Sequence, residues 1–266
     1  MNSTNLNTTT ELSNCRVYRV GGCPYFDFYN ADCMEIMKQY PDNHFDIAIV
    51  DPPYGINVAK MAYTQEDNRP VIQKNGSTLR VKKLKYKHGE WDKIPADEKY
   101  LTELQRVSKH QIIWGINYMD FHLKGGRIVW DKCVPDGVSF SDCEIAYCSL
   151  HDRVRYFEYM WAGMMQGESL GKPNVQKGNK KLNEKRIHPT QKPEMLYSWL
   201  IKEYAKQNFK ILDTHLGSAS IAIAVHKANV LDKMNLHLTG IEIDADYFQA
   251  AMSRIKKHVS QGTLPF

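Results

Sequence analysis

Four consecutive residues carry the clearest chemistry in this sequence, Asp51-Pro52-Pro53-Tyr54. They follow Phe45-Asp46-Ile47-Ala48-Ile49-Val50, a short apolar run that reads as a buried parallel strand delivering Asp51 at its C-terminal end. Ligands of open α/β sheets gather at that edge. The two prolines fix successive φ angles and remove two N–H donors, which leaves a stiff loop rich in carbonyl acceptors. Tyr54 adds a flat face. A carboxylate, a carbonyl and a ring held rigidly together suit a planar substrate carrying an NH2 group. A lone Asp-Pro step after a strand is commonly only a helix cap. Here the second proline and the tyrosine favour a substrate site.

A second constellation lies near the other end of the chain. A strand over 209–212 runs into Asp213, then a turn Thr214-His215-Leu216-Gly217-Ser218-Ala219-Ser220, then a small-residue helix and a strand over 236–243 that carries Glu242. Strand, acid, small-residue turn, helix, strand and a later acid form the order of a nucleoside-binding βαβ unit. Gly217 and Ser218 let backbone approach a ligand closely, Glu242 can accept from ribose hydroxyls, and Ile243 can pack on a purine. The turn is not G-x-G-x-x-G, and no lysine offers itself to a triphosphate. A nucleoside without a pyrophosphate fits, and S-adenosylmethionine is such a cofactor.

The elements that position these groups have an α/β rhythm. A strand over 25–29 ends at Asp32, a helix covers 33–39, and the strand before Asp51 follows. A helix over 97–109 precedes a buried strand over 111–116, with Asn117 and Tyr118 at its end. Strands over 127–130 and 144–148 read as an antiparallel pair at the sheet edge. Helices over 194–206 and 247–258 complete the pattern, with Pro193 suited to a first helical turn. Residues 1–14 are polar and read as a disordered leader.

With 266 residues, 42% hydrophobic and 24% charged, the chain has the composition of one globular α/β domain, here 15–258. No run reaches membrane-spanning length and there is no signal-peptide pattern, so the expectation is a cytoplasmic protein without a membrane partner. The six cysteines form no metal-ligand spacing and read as free thiols; no metal is expected. His215 and Cys33 read as packing residues.

The net charge of +5 is unevenly spread. Residues 56–90 form a basic, poorly periodic insertion containing Lys82, Lys83 and Lys85, placed directly after the candidate site. Residues 150–187 form a second basic segment, with Arg153, Arg155, Lys180, Lys181 and Arg186 interleaved with aromatic residues. Basic side chains beside aromatics suit phosphate contacts and base packing. A solvated insertion and an ordinary lobe with an aromatic core are the plainer alternatives.

Asp51-Pro52-Pro53-Tyr54, then His188-Pro189-Thr190-Gln191-Lys192-Pro193, then the 213–220 turn and Gly240-Ile241-Glu242 resemble the amino-methylating DNA methyltransferases of the β arrangement. In that family the catalytic tetrapeptide precedes the cofactor turn. The resemblance covers most of residues 25–258. It implies a Rossmann-like methyltransferase fold, circularly permuted, with a mostly parallel sheet and an antiparallel edge. It assigns Asp51, Pro52, Pro53 and Tyr54 to catalysis, Asp213 and Gly217 to the methionine end of the cofactor, Glu242 to the ribose and Asp32 to the adenine. Thr190 and Lys192 would line the methionine pocket. The permutation predicts that Asp32 and Glu242 become neighbours. One departure is that Thr214-His215 and Ala219 replace the family's proline-phenylalanine and last glycine, and a backbone at Ala219 outside the left-handed region is expected.

The resemblance implies methyl transfer to the N6 amino group of adenine in double-stranded DNA, with the target base flipped out and stacked on Tyr54. Alternatives are cytosine-N4 methylation and a non-catalytic DNA-binding relative. The tail, with Gln261, Leu264 and Phe266, resembles the peptide by which bacterial DNA-processing proteins dock on the replication sliding clamp. A homodimer is a further implication, since many relatives are dimers.

Overall fold

The computed structural model describes residues 11–12, 15–20, 22–56, 71–72, 76, 78–79, 94–135, 141–171 and 175–261. In chain order the elements begin with β1 (Glu11–Leu12), β2 (Cys15–Tyr18), β3 (Phe26–Asn30), α1 (Cys33–Met37) and β4 (Phe45–Val50). A two-stranded ribbon of β5 (Val71–Ile72) and β6 (Thr78–Leu79) lies within the basic insertion. Next come α2 (Glu98–Val107), β7 (Ser108–Trp114), β8 (Gly126–Asp131), β9 (Cys143–Cys148) and β10 (Val154–Glu158). A small hairpin pairs β11 (Met160–Ala162) with β12 (Met165–Gly167). The chain closes with α3 (Glu194–Tyr204), β13 (Lys210–Asp213), α4 (Ser220–Leu231), β14 (His237–Glu242) and α5 (Ala245–Ser260).

Ten strands form one sheet in the order β1-β2-β3-β14-β13-β4-β7-β9-β8-β10. From β3 to β7 all neighbours are parallel. Period-two alternation sorts the side chains of these strands to two buried faces. Ile47 and Ile49 pack in a cluster with Leu196 and Leu200 of α3, Val225 of α4 and Phe248 of α5. Ala48 and Val50 pack on the other side with Ile36 of α1 and Tyr100 and Leu104 of α2. The result is three layers, helix on sheet on helix, which explains why the central strands read as continuous apolar runs. Capping is local: Asp97 accepts from Tyr100 N at 2.9 Å to start α2, and Asp244 accepts from Asp246 N and Tyr247 N to start α5.

β8 and β9 do pair antiparallel, but they are not the edge. β10 pairs parallel with β8 outside them and ends that side of the sheet. The alternation of Val154-Arg155-Tyr156-Phe157-Glu158 explains this, since it half-buries Arg155 and Phe157 and exposes the others, as an edge strand does. At the opposite side, β1 and β2 show that Glu11–Leu12 are strand rather than disordered leader; residues 1–10 and 13–14 lie outside the described residues. α5 continues to Ser260, so the tail proper starts at Gln261, and Leu264 and Phe266 lie outside the described residues. Among the described residues no helix is long and apolar enough to cross a membrane.

Candidate active site

The neighbouring parallel strands β4, β13, β14 and β3 bring their C-terminal ends to one edge. Asp51, Asp213, Glu242 and Asp32 therefore meet there, although they come from both ends of the chain. Glu242 pairs with Asn30 across β14 and β3, and Ala31 N donates to the Glu242 carbonyl at 3.2 Å. A cavity of about 320 Å3 opens at this edge. Its lining includes Asp32, Asp51, Pro52, Pro53, Tyr54, Thr190, Lys192, Gly217, Ser218, Glu242 and Ile243, which unites every catalytic and cofactor candidate but one. The exception is Asp213, which is 2% exposed and lies behind the lining.

Asp51 sits in a chain of alternating charge. Its Oδ1 accepts from the Tyr54 hydroxyl at 2.5 Å and lies 2.5 Å from Lys192 Nζ. Lys192 Nζ also donates to the Tyr54 hydroxyl at 2.9 Å and lies 3.1 Å from Glu144 Oε2. Lys132 Nζ stands 3.4 Å from Glu144 Oε1. Burial pushes the Asp51 carboxyl up, against the pull of Lys192. Burial opposes the charge on Lys192 as well, yet Asp51 and Glu144 outweigh it and raise the ammonium above the usual lysine range. At Glu144 burial is outweighed by Lys192 and Lys132, so this carboxyl is held low.

Tyr54 is fixed from outside. Its ring stacks on Tyr118 with centroids 5.1 Å apart and planes 14° from parallel. Behind it, Gly115 adopts φ +69°, and a Cβ there would lie 2.0 Å from Tyr54 Cε1. The Pro53 carbonyl accepts from Ala96 N at 3.3 Å. Among the described residues no backbone donor takes the Pro52 carbonyl.

On the cofactor side, Glu242 accepts from Gly217 N and Asp244 N, both at 2.9 Å, and burial raises its carboxyl. Asp213 accepts from His215 N at 3.0 Å, which lowers its pKa, but burial dominates, the Asp51 and Glu242 carboxylates add to it, and the group rises to about 8. Asp32 caps α1 by accepting from Met34 N at 2.7 Å. Thr190 Oγ1 lies 3.0 Å from His188 Nδ1, whose ring burial holds at about 3. The turn corrects one expectation: Ala219 is left-handed, with φ +58° and ψ 33°. That small region is sterically open to L-residues at a cost of roughly 1–2 kcal/mol. The methyl is fully buried in the main cluster, and Ala219 N donates to the Leu216 carbonyl at 2.8 Å. Packing and this bond hold a conformation that composition alone argues against.

The basic candidates separate. Lys82, Lys83 and Lys85 lie outside the described residues. Lys180 and Lys181 are exposed in a 3-10 turn, Lys180–Leu182. The Arg186 guanidinium lies over the Trp161 ring at 4.3 Å. Arg153 and Arg155 lie away from Asp51. They stand at the start of β10, whose direction matches β8 and, through the antiparallel β9, that of β7 and β4. The start of β10 is thus at the opposite edge from Asp51, and Arg155 pairs there with Glu203 at 2.6 Å.

Three residues that motif reading does not single out help build the site. Glu144 is the second residue of β9, and that strand's reversed direction brings its start, not its end, to the edge that carries Asp51. Tyr118 follows the end of β7. Arg254 of α5 donates to the Ser218 carbonyl at 2.7 Å and the Ser220 hydroxyl at 2.9 Å, and pairs with Glu184 at 3.0 Å. An acid heading an apolar strand is the one sequence signal that marks Glu144.

A mostly parallel sheet with helices on both faces, and the Asp51–Tyr54 tetrapeptide beside a glycine turn at one edge, make a Rossmann-like methyltransferase fold. Residues 73–253 match the N6_N4_Mtase family, described as DNA methylase, and the chain belongs to that family. The chain is 23% identical to the type II methyltransferase M.BglII of Bacillus subtilis over 256 residues, covering 84% of this chain and 67% of the relative. It is 25% identical to M.HinfI of Haemophilus influenzae (87% and 69% covered) and 25% identical to M2.MboI of Moraxella bovis (86% and 87% covered). Among solved structures, the M1.HpyAVI–SAM complex aligns with a TM-score of 0.47 at 18% identity, covering 86% of this chain and 99% of the other. The cytosine-N4-specific PvuII DNA methyltransferase aligns at 0.46 and 9%, covering 91% and 96%.

Proposed function

We infer that this protein transfers the methyl group of S-adenosylmethionine to the exocyclic N6 of adenine in double-stranded DNA, at a specific sequence and on a flipped-out base. The observation that carries the reading is that Asp51–Tyr54 line the same cavity as Gly217, Ser218 and Glu242. An amine-accepting carboxylate and a nucleoside-binding turn thus face one space. The aspartate form of the tetrapeptide supports adenine over cytosine.

The residues around the cavity fit this cofactor. Glu242 has carboxylate lone pairs for a ribose diol, Asp32 an acceptor for an amino group, and Ile243 an apolar face. Thr190, Gly217, Ser218 and the buried Asp213 would hold the methionine end. When bound, S-adenosylmethionine supplies an electrophilic methyl group on a sulfonium.

The rest is the work of this chain. An exocyclic amino group is a poor nucleophile because its lone pair is delocalised into the ring. Asp51 and the Pro52 carbonyl accept its two N–H hydrogens, drawing the nitrogen towards tetrahedral geometry and exposing the lone pair. The carboxylate contact strengthens as positive charge grows on nitrogen, so it stabilises the transition state more than the ground state. Holding both reactants in line supplies several kcal/mol, up to roughly 7–11 in ideal cases. The proton leaves after methyl transfer. Tyr54 is the platform for the base, and Lys180 and Lys181 contact the DNA backbone.

Mass spectrometry of nucleosides from DNA incubated with protein and cofactor tests this. N6-methyladenine is the expected product, made by wild type and lost in Asp51→Ala while DNA binding remains. N4-methylcytosine would move the reading to the other base, and no modified base would leave a DNA-binding relative. Docking on a sliding clamp through Gln261, Leu264 and Phe266 is a separate proposal; unchanged clamp affinity after removal of residues 261–266 refutes it.

A further inference from the structure

The ion pair at Asp51 conflicts with the role that the tetrapeptide is given, and the conflict points to its own resolution. An oxygen that is to accept an amine hydrogen needs a free lone pair, and a carboxylate oxygen has two. Yet Lys192 Nζ and the Tyr54 hydroxyl both hold Oδ1 at 2.5 Å, and the Lys192 side chain is 3% exposed. An ammonium left there would also stand beside a nitrogen that becomes cationic in the transition state. It cannot escape to water, so it needs a second anion within the same enclosure. Glu144 is that anion. Its Oε2 is 3.1 Å from Lys192 Nζ, so a shift of a few tenths of an ångström changes which carboxylate holds the ammonium more closely.

Two further features fit. Glu144 is not part of the cavity lining, so it does not meet substrate directly. Lys132 pairs with its other oxygen at 3.4 Å, which keeps Glu144 ionised while Lys192 moves. Trp114 presents its ring 5.6 Å from Nζ, an electron-rich face beside the ammonium.

We propose that Glu144 is a positioning residue that draws Lys192 off Asp51 as the substrate amine arrives, freeing Oδ1 for the amine hydrogen. The proposal rests on the amine-methylating reading above. Lys192 stays charged throughout, and no proton or electron pair is transferred in the exchange. The Asp51–Lys192 pair is then the resting state of the site, and the Glu144–Lys192 pair its working state.

A double-mutant cycle with steady-state kinetics and cofactor titration tests this. Glu144→Gln should lower kcat by about tenfold or more, while the cofactor Kd stays within about twofold, because the loss falls on the reacting complex. Glu144→Asp, which keeps the charge, should recover part of that loss. In a Lys192→Met background Glu144→Gln should add less than about twofold, since no ammonium is left to move. Wild-type kcat in Glu144→Gln, or losses that multiply in the double variant, would overturn the proposal. Should Glu144→Gln fail to fold, Glu144→Asp and Lys132→Met carry the test: both should reduce kcat at unchanged cofactor Kd, and full kcat in both overturns it. A wild-type protein that methylates neither base overturns the underlying reading together with this one; an active wild type with indifferent Glu144 variants overturns this one alone.

Discussion

Adding one methyl group at Gly115 should disable the site without replacing any group that meets substrate. Gly115 holds φ +69°, and the new Cβ would lie 2.0 Å from Tyr54 Cε1 and 2.4 Å from Cδ1 and Cζ. Ordinary contact begins near 3.4 Å, so the ring must retreat by about 1.4 Å. It cannot retreat freely, because Tyr118 stacks on it at 5.1 Å and its hydroxyl is bonded to Asp51 at 2.5 Å. Either that bond breaks or Asp51 follows the ring. A misplacement of about 1 Å at a reacting centre can cost about 100-fold in rate, so Gly115→Ala should lower kcat by roughly that factor. The backbone strain adds about 1–2 kcal/mol of destabilisation. The Kd for cofactor should change little, since Gly115 is remote from Gly217 and Glu242. Single-turnover methylation, thermal denaturation and cofactor titration separate these effects. A kcat within about threefold of wild type in a folded Gly115→Ala protein would refute the reasoning that Tyr54 must hold its place.

Three other perturbations follow from the geometry. Asp213 is raised to about 8 by burial, so its stability contribution is present at low pH and is lost as pH rises towards 8. Relative to Asp213→Asn, wild type should lose about 4 kcal/mol between pH 5 and 8, at about 1.4 kcal/mol per unit, in urea unfolding; parallel pH curves would refute this. At Ala219, relief of the left-handed strain and loss of a buried methyl nearly cancel, so Ala219→Gly should change stability by less than about 1 kcal/mol. Ala219→Val, branched and left-handed in a closed core, should cost more than about 2 kcal/mol, and calorimetry decides between the two. Lys180→Ala combined with Lys181→Ala should weaken DNA binding and reduce the salt slope by about 1.8; an unchanged slope would show that neither lysine meets phosphate.

Asp32, Asp51 and Glu242 were legible in sequence for one physical reason. Each ends, or stands just past, a β-branched or aromatic run, and in a parallel sheet every such run ends at the same edge. The antiparallel strand breaks that rule. Glu144 lies at the start of its strand and still reaches the edge, because β9 runs the other way, and strand direction is a tertiary property that no local pattern encodes. Arg153 and Arg155 misled for the same reason, since their charges marked a surface without showing which end of the sheet it occupies. Ala219 failed differently: the propensity argument against a left-handed alanine was sound, but burial of one methyl and one backbone bond outweighed it. Gly115 and Tyr118 stood beside a recognised strand, and only the three-dimensional approach of Tyr54 gives them meaning.

The pairing of β3 with β14 has a consequence for synthesis. Asn30 donates to the Glu242 carbonyl across 212 residues of chain. During translation at 5–20 residues per second, about 10–40 s pass between the emergence of the first partner and the second. Until then β3 has its antiparallel neighbour β2 on one side and an open row of backbone groups on the other. The cavity lined by Asp32 and Glu242, which needs both strands, has no existence in the growing chain. The Asp51–Tyr54 loop leaves the ribosome early, but the cavity that it lines is complete only when the last of the described strands arrives.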